Sequence, residues 1–218
     1  MEPLLAGAAA GGSTTVKIFL LLTALSFSSA VLVCMTSFTR IIIVLSFVRQ
    51  ALGTQQLPPN QVLVGLSLFL TMFIMAPTAG RVNEQALEPL LQDQMELKEA
   101  ATVAGGIMRE FLLKQTRGED LRLFYDVSGR PRPSRGDEVP MTVAAPAFLL
   151  SELTTAFQMG LYIFIPMVLI DLLVASILMS LGMTMVPPTI VALPIKLAVF
   201  VMADGWRLVV SSLVRSFM

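Results

Sequence analysis

The residues with most chemistry to offer are acids and bases set inside apolar runs. Asp171 lies midway through the run from Met159 to Met185, Lys196 and Asp204 interrupt the run from Val186 to Val214, Glu152 precedes the first of these, and Arg40 stands at the edge of an earlier one. A lone charge facing hydrocarbon costs about 2.5–3.5 kcal/mol on insertion scales, so such groups face protein or water and persist when paired and hydrogen-bonded. Three acids nearly balance two bases, and Lys196 with Glu152 or Asp171 is the favoured pairing; Arg40 is expected to snorkel to an interface. Two other chemistries compete with pairing: a proton or ion relay, and carboxylate acid–base catalysis. No motif surrounds Glu152 or Asp171, which favours ion pairing over catalysis.

Cys34 is the only cysteine and histidine is absent. Disulfide frameworks, imidazole acid–base work and the usual zinc ligand sets are therefore excluded. The sequence has no phosphate-cradling loop or triad spacing, and the Gly105-Gly106 pair reads as a helix break. The expectation is a non-enzyme without cofactor or metal. A formal charge of zero gives no reason to expect nucleic acid as a partner.

A second constellation is Met179-Ser180-Leu181-Gly182-Met183-Thr184-Met185, ahead of Pro187-Pro188. Methionine is unbranched and adaptable, so several at a constriction can deform around a passing chain and close again. Filling gaps in a core is the competing use. Small residues at Ser26, Ser28, Ser29 and Ala30, and again at Ala175, Ser176, Ser180 and Gly182, permit close helix approach.

The elements that position these groups are helical. A mean hydropathy of +0.78, 55% hydrophobic and 14% charged residues in a 218-residue chain place it in the membrane class. Apolar segments run from Val16 to Val48, Val62 to Ala79, Ala147 to Met185 and Thr189 to Val214, and the members of each pair are joined through Leu57-Pro58-Pro59-Asn60 or Val186-Pro187-Pro188. Adjacent prolines cannot continue a helix, so each pair forms a hairpin with a stiff turn. The likeness of the two turns suggests a duplicated hairpin, although no side-chain repeat accompanies it. Val16 to Val48 would reach about 50 Å against a hydrocarbon core of about 30 Å, so part of it leaves the bilayer or bends. Val62 to Ala79 is at the short limit for spanning, and Pro166 and Pro194 predict kinks or breaks.

Between the hairpins the chain is polar, with 9 basic and 12 acidic residues from Arg81 to Glu152. Leu87, Leu90 and Leu91, then Ile107, Met108, Phe111 and Leu112, show helical spacing, whereas Gly129 to Gly136 reads as an exposed loop. The expected organisation is all-α: an N-terminal segment 1–15, a first apolar hairpin 16–80, a polar helical insertion 81–145 and a second apolar hairpin 146–218. Met1 to Thr15 lacks a basic region and an apolar core of its own, and does not read as a cleavable signal.

The blocks Met35-Thr36-Ser37-Phe38-Thr39-Arg40-Ile41-Ile42-Ile43-Val44, Ala51-Leu52-Gly53-Thr54, Pro58-Pro59-Asn60-Gln61-Val62, Ser151-Glu152-Leu153, Ala156-Phe157-Gln158 and Asp204-Gly205-Trp206, with the Met183 to Pro188 turn, resemble the FliP family of flagellar export gates. The injectisome counterparts are called SctR. The likeness covers nearly everything from Val16 onward, and Ser37 to Val44 with Arg109 to Arg117 resemble the flagellar branch. The resemblance implies a helical rather than closed assembly of about five copies of this chain with FliQ-like and FliR-like subunits. It also implies FlhA-like and FlhB-like export components, basal-body ring and proximal rod proteins, and unfolded export substrates as partners. The site would be the bacterial inner membrane within the flagellar basal body, largely on its periplasmic side. By the same resemblance a pore gasket maps to Met183, Thr184 and Met185, with Thr184 standing where a third methionine is common, and an inter-subunit charge pair maps to Glu152 and Lys196, with Asp171 nearby. A self-contained small-solute or ion transporter coupled through Asp171 and Lys196, and a structural ring anchor, are the alternatives.

Overall fold

A computed structural model describes residues 33–54, 57–129 and 139–218. The helices are α1 (Phe38–Ala51), α2 (Asn60–Leu91), α3 (Leu97–Gln115), α4 (Gly118–Ser128), α5 (Met141–Ser180), α6 (Pro188–Met202) and α7 (Gly205–Arg215). The described residues contain no strand. Proline sets several of the starts: Pro59, Pro140 and Pro187 hold extended backbone immediately before α2, α5 and α6. A fixed φ and a missing amide donor suit the edge of a helix, where no intrahelical acceptor is available.

The expected helix from Val16 to Val48 is interrupted at Met35 to Ser37, and its part before Val33 lies outside the described residues, as does the segment 1–15. The short second helix is a correction. α2 continues through a π-helical turn, Asn83–Leu87, into Glu88–Leu91 and reaches 32 residues, about 48 Å. Gly105-Gly106 lies inside α3 rather than ending it. α5 runs for 40 residues, about 60 Å, straight through Pro146 and Pro166. α6 continues past Pro194, and the break falls instead at Ala203-Asp204, where α6 and α7 meet at 61°. Gly129 ends α4 in left-handed backbone at φ +63°; the rest of the expected exposed loop, 130–136, lies outside the described residues.

The main core forms where α1 lies against α5 and α2, with α6 and α7 closing it. Ile41, Val44, Leu45 and Val48 present one face of α1 to Ala156, Met167, Phe200 and Leu213. Gly160 permits the α1–α5 approach: a Cβ there would lie 2.6 Å from Cγ of Phe47. A small second core, Tyr125, Val139, Val143 and Ala144, fastens α4 to the start of α5. α2 and α5 are each long and apolar enough to cross a membrane, yet only 17% of each apolar window is buried within the chain. The outer face of α5 shows Phe157, Leu161, Tyr162, Ile165, Leu169, Leu172 and Leu173.

Candidate functional site

Arg40 and Glu152 form the centre of the fold's polar network. Arg40 Nε donates to Glu152 Oε2 at 2.9 Å and Nη2 donates to Oε1, a two-pronged match between a planar guanidinium and a carboxylate. The pair is almost sealed, with Arg40 3% and Glu152 0% exposed. Nη1 donates to the carbonyl and hydroxyl oxygens of Ser216, at 3.1 and 3.0 Å, and the guanidinium lies 3.8 Å over the Phe217 ring. Next to Glu152, the Ser151 hydroxyl accepts from the Arg117 amide at 3.0 Å and lies 2.6 Å from Asp120 Oδ2. Residues from α1, α5, the α3–α4 joint and the end of α7 therefore meet at one buried cluster.

The second pair lies further along α5. Lys196 Nζ donates to Asp171 Oδ2 at 2.5 Å and to the Ala51 carbonyl at 3.2 Å, at the C-terminus of α1 where the helix dipole favours a cation. Lys196 is buried and Asp171 half-buried; Oδ1 of Asp171 has no hydrogen-bond partner. Both line a cleft of about 1280 Å³ between the turn that follows α1 and the α5–α6 hairpin, which Arg49 and Asn60 also border.

The methionine turn sits at the tip of that hairpin. Gly182, at φ +76°, ends α5 in left-handed backbone: its amide donates to the Met179 carbonyl at 3.0 Å, and the Met183 amide reaches back to Leu178 at 2.9 Å. This capping geometry satisfies the last carbonyls of the helix and turns the chain outward. Met183 is 44% and Met185 95% exposed, and Thr184 between them is exposed as well. Within one chain these methionines fill no core.

The single chain joins Lys196 to Asp171 and Glu152 to Arg40; it does not bring Glu152 and Lys196 together. Two expectations are corrected. Arg40 does not snorkel, because the carboxylate of Glu152 and the Ser216 carbonyl meet its donors inside the protein. Asp204 is not an embedded charge: its side chain is 65% exposed, 3.8 Å from Arg207, and it occupies the bend between α6 and α7 at φ +51°. Sequence reasoning missed Ser151 and the Ser216-Phe217 contact. The available signal was that Arg40 falls within an apolar run, as Asp171 does, and not at its edge.

Described residues whose regular elements are all helices, with two helices of spanning length, buried charges paired within the chain and broad uncovered apolar faces, define the class of membrane-associated α-helical proteins. Its sequence matches the family model described as "FliP family" over residues 21–213. It is 53% identical over 205 residues to the flagellar biosynthetic protein FliP of Bacillus subtilis, covering 94% of this chain and 93% of the relative. The proteins of the same name from Pectobacterium carotovorum and Aquifex aeolicus are 53% and 45% identical, over 93% of this chain in both cases and 79% and 86% of theirs. The chain belongs to the FliP family.

Proposed function

We propose that this chain is a pore-forming subunit of the flagellar type III export gate, passing unfolded flagellar proteins across the bacterial inner membrane. Family membership makes it a component of the flagellar export apparatus. The observation that carries the pore reading is the tip of the α5–α6 hairpin, where Met183, Thr184 and Met185 stand exposed on a capped turn. Several copies around an axis would bring flexible thioethers together as a deformable seal, with Thr184 contributing a hydroxyl in their midst.

The apolar flanks of α2 and α5 would be covered by further copies, by FliQ-like and FliR-like subunits and by bilayer, with FlhA-like and FlhB-like components, ring and rod proteins beyond. Helices of about 48 and 60 Å exceed a hydrocarbon core of about 30 Å, which supports an assembly that projects beyond the bilayer; by the family resemblance the larger part would stand on the periplasmic side. The subunit works without catalysis of its own, so the transport energy comes from partners. Between copies, Glu152 of one would accept Lys196 of the next by an exchange of partners on assembly, since within one copy Glu152 is enclosed and held by Arg40 and Lys196 is held by Asp171. Lys196→Met together with Asp171→Leu, which removes a within-chain pair without stranding either charge, should then weaken assembly of subunits that still fold. Unchanged assembly of that double variant rejects the contact.

The seal is tested by Met183→Ala with Met185→Ala in the assembled complex. Ion leakage through an intact complex is the expected result, and unchanged conductance removes the gasket. A transporter of the Asp171 and Lys196 kind would instead lose flux in Asp171→Asn with the methionines untouched.

A further inference from the structure

The buried cluster around Arg40 extends to the polar insertion through Ser216 and Phe217, just after α7, in a chain of contacts that pore lining does not call for. Gln115 Nε2, at the end of α3, donates to the Phe217 carbonyl at 3.0 Å. The Phe217 ring, 7% exposed, lies against the Arg40 guanidinium, and Ser216 takes the two remaining Arg40 bonds. On the other side of the joint, Ser151 accepts the Arg117 amide, which lacks an intrahelical acceptor at the start of α4. The α3–α4 joint is thus held from two sides, by Phe217 and by Ser151, whose neighbours Arg40 and Glu152 form one ion pair.

We infer that Ser216 and Phe217 form a clasp that locks the polar insertion at a fixed angle to the apolar hairpins, with the Arg40–Glu152 pair as its anchor. Elsewhere α3 is tied to α2 through the exposed Arg81–Glu110 pair, a weak kind of contact, and to α5 through the Phe111 and Phe148 rings, 5.9 Å apart, while the second core fastens α4 to α5; the clasp adds directional bonds at the joint between them. The insertion carries exposed Leu91, Leu97, Leu123 and Val127, apolar surface fit for neighbours, and its angle decides where that surface is presented. The ring supplies more than bulk, because an aromatic face attracts the guanidinium while an aliphatic side chain of similar volume does not. The inference rests on this geometry and stands apart from the export reading.

The test is amide hydrogen exchange on the full chain in detergent, comparing wild type with Phe217→Leu, Phe217→Tyr and Gln115→Ala. Phe217→Leu and Gln115→Ala should each speed exchange at the joint, residues 113–121, by about tenfold while α1 and the middle of α5 keep their protection; Phe217→Tyr, which retains the ring, should match wild type at the joint. Unchanged exchange at the joint in both Phe217→Leu and Gln115→Ala overturns the clasp. So does equal loosening of the joint and the α1–α5 core, which would make these residues general packing, and so does a Phe217→Tyr protein that behaves as Phe217→Leu.

Discussion

Removing one partner of a buried ion pair strands the other charge, and the Arg40–Glu152 pair is the place where this chain is most exposed to that loss. Arg40→Met or Glu152→Leu alone should destabilise the folded chain by about 3–5 kcal/mol in denaturant titration in detergent, and the double substitution should return much of it. Arg40→Lys keeps the charge but cannot make the two-pronged contact and bond Ser216 as well. Gly160→Ala places a methyl 2.6 Å from the Phe47 ring, and should cost about 1–3 kcal/mol in the same titration. Outside the spans, the hydrogen bond and then the charge of Arg81 hold the Glu110 carboxyl below its usual range. A lowered carboxylate supports the fold fully above its unfolded value and loses that support as pH falls through the lowered one. Exchange protection in α3 around Glu110 should therefore decline slightly on acidification, and Glu110→Gln should reduce that pH dependence. At this scale the sequence disclosed which residues were embedded but not how they pair, because pairing depends on which helix faces meet. Arg40 is the instructive case, since all four of its side-chain hydrogen bonds and its ring contact reach residues more than a hundred positions away.

Helices and turns were more legible than side-chain partners. The adjacent prolines before α2 and α6 are local signals with a local cause, and the hairpin turns fall where they stand, whereas Pro140 before α5 went unread. Single prolines inside apolar helices misled as to breaks, since Pro166 and Pro194 each lie within one continuous helix that survives the loss of a backbone bond. Gly105-Gly106 misled for a related reason: glycine costs about 1 kcal/mol per residue in a helix, and burial of Ile107 and Leu112 outweighs it. The break at Asp204 has no strong residue signal, since aspartate visits left-handed backbone only occasionally. Asp204→Gly should leave the melting temperature unchanged or raise it slightly, whereas Asp204→Val should lower it, reflecting about 1–2 kcal/mol of backbone strain.

Within one copy the two helices of spanning length leave most of their apolar windows uncovered. The buried charges are paired within the chain, and Met183 and Met185 stand at a tip. That combination suits a subunit completed by neighbours around a conduit. The sequence carried the membrane class through composition and the family through its ordered blocks, but it could not say whether Met183 and Met185 were core or surface. The structure places them outside the core of the single chain, and what they face is set by assembly. The most direct measurement is crosslinking of Met185→Cys in a Cys34→Ser background, within the complex assembled in its membrane and holding an arrested export substrate. The account predicts bonds from residue 185 to the substrate and to neighbouring copies. An intact complex in which residue 185 reacts with neither, and is instead labelled freely by lipid-soluble reagents, contradicts it.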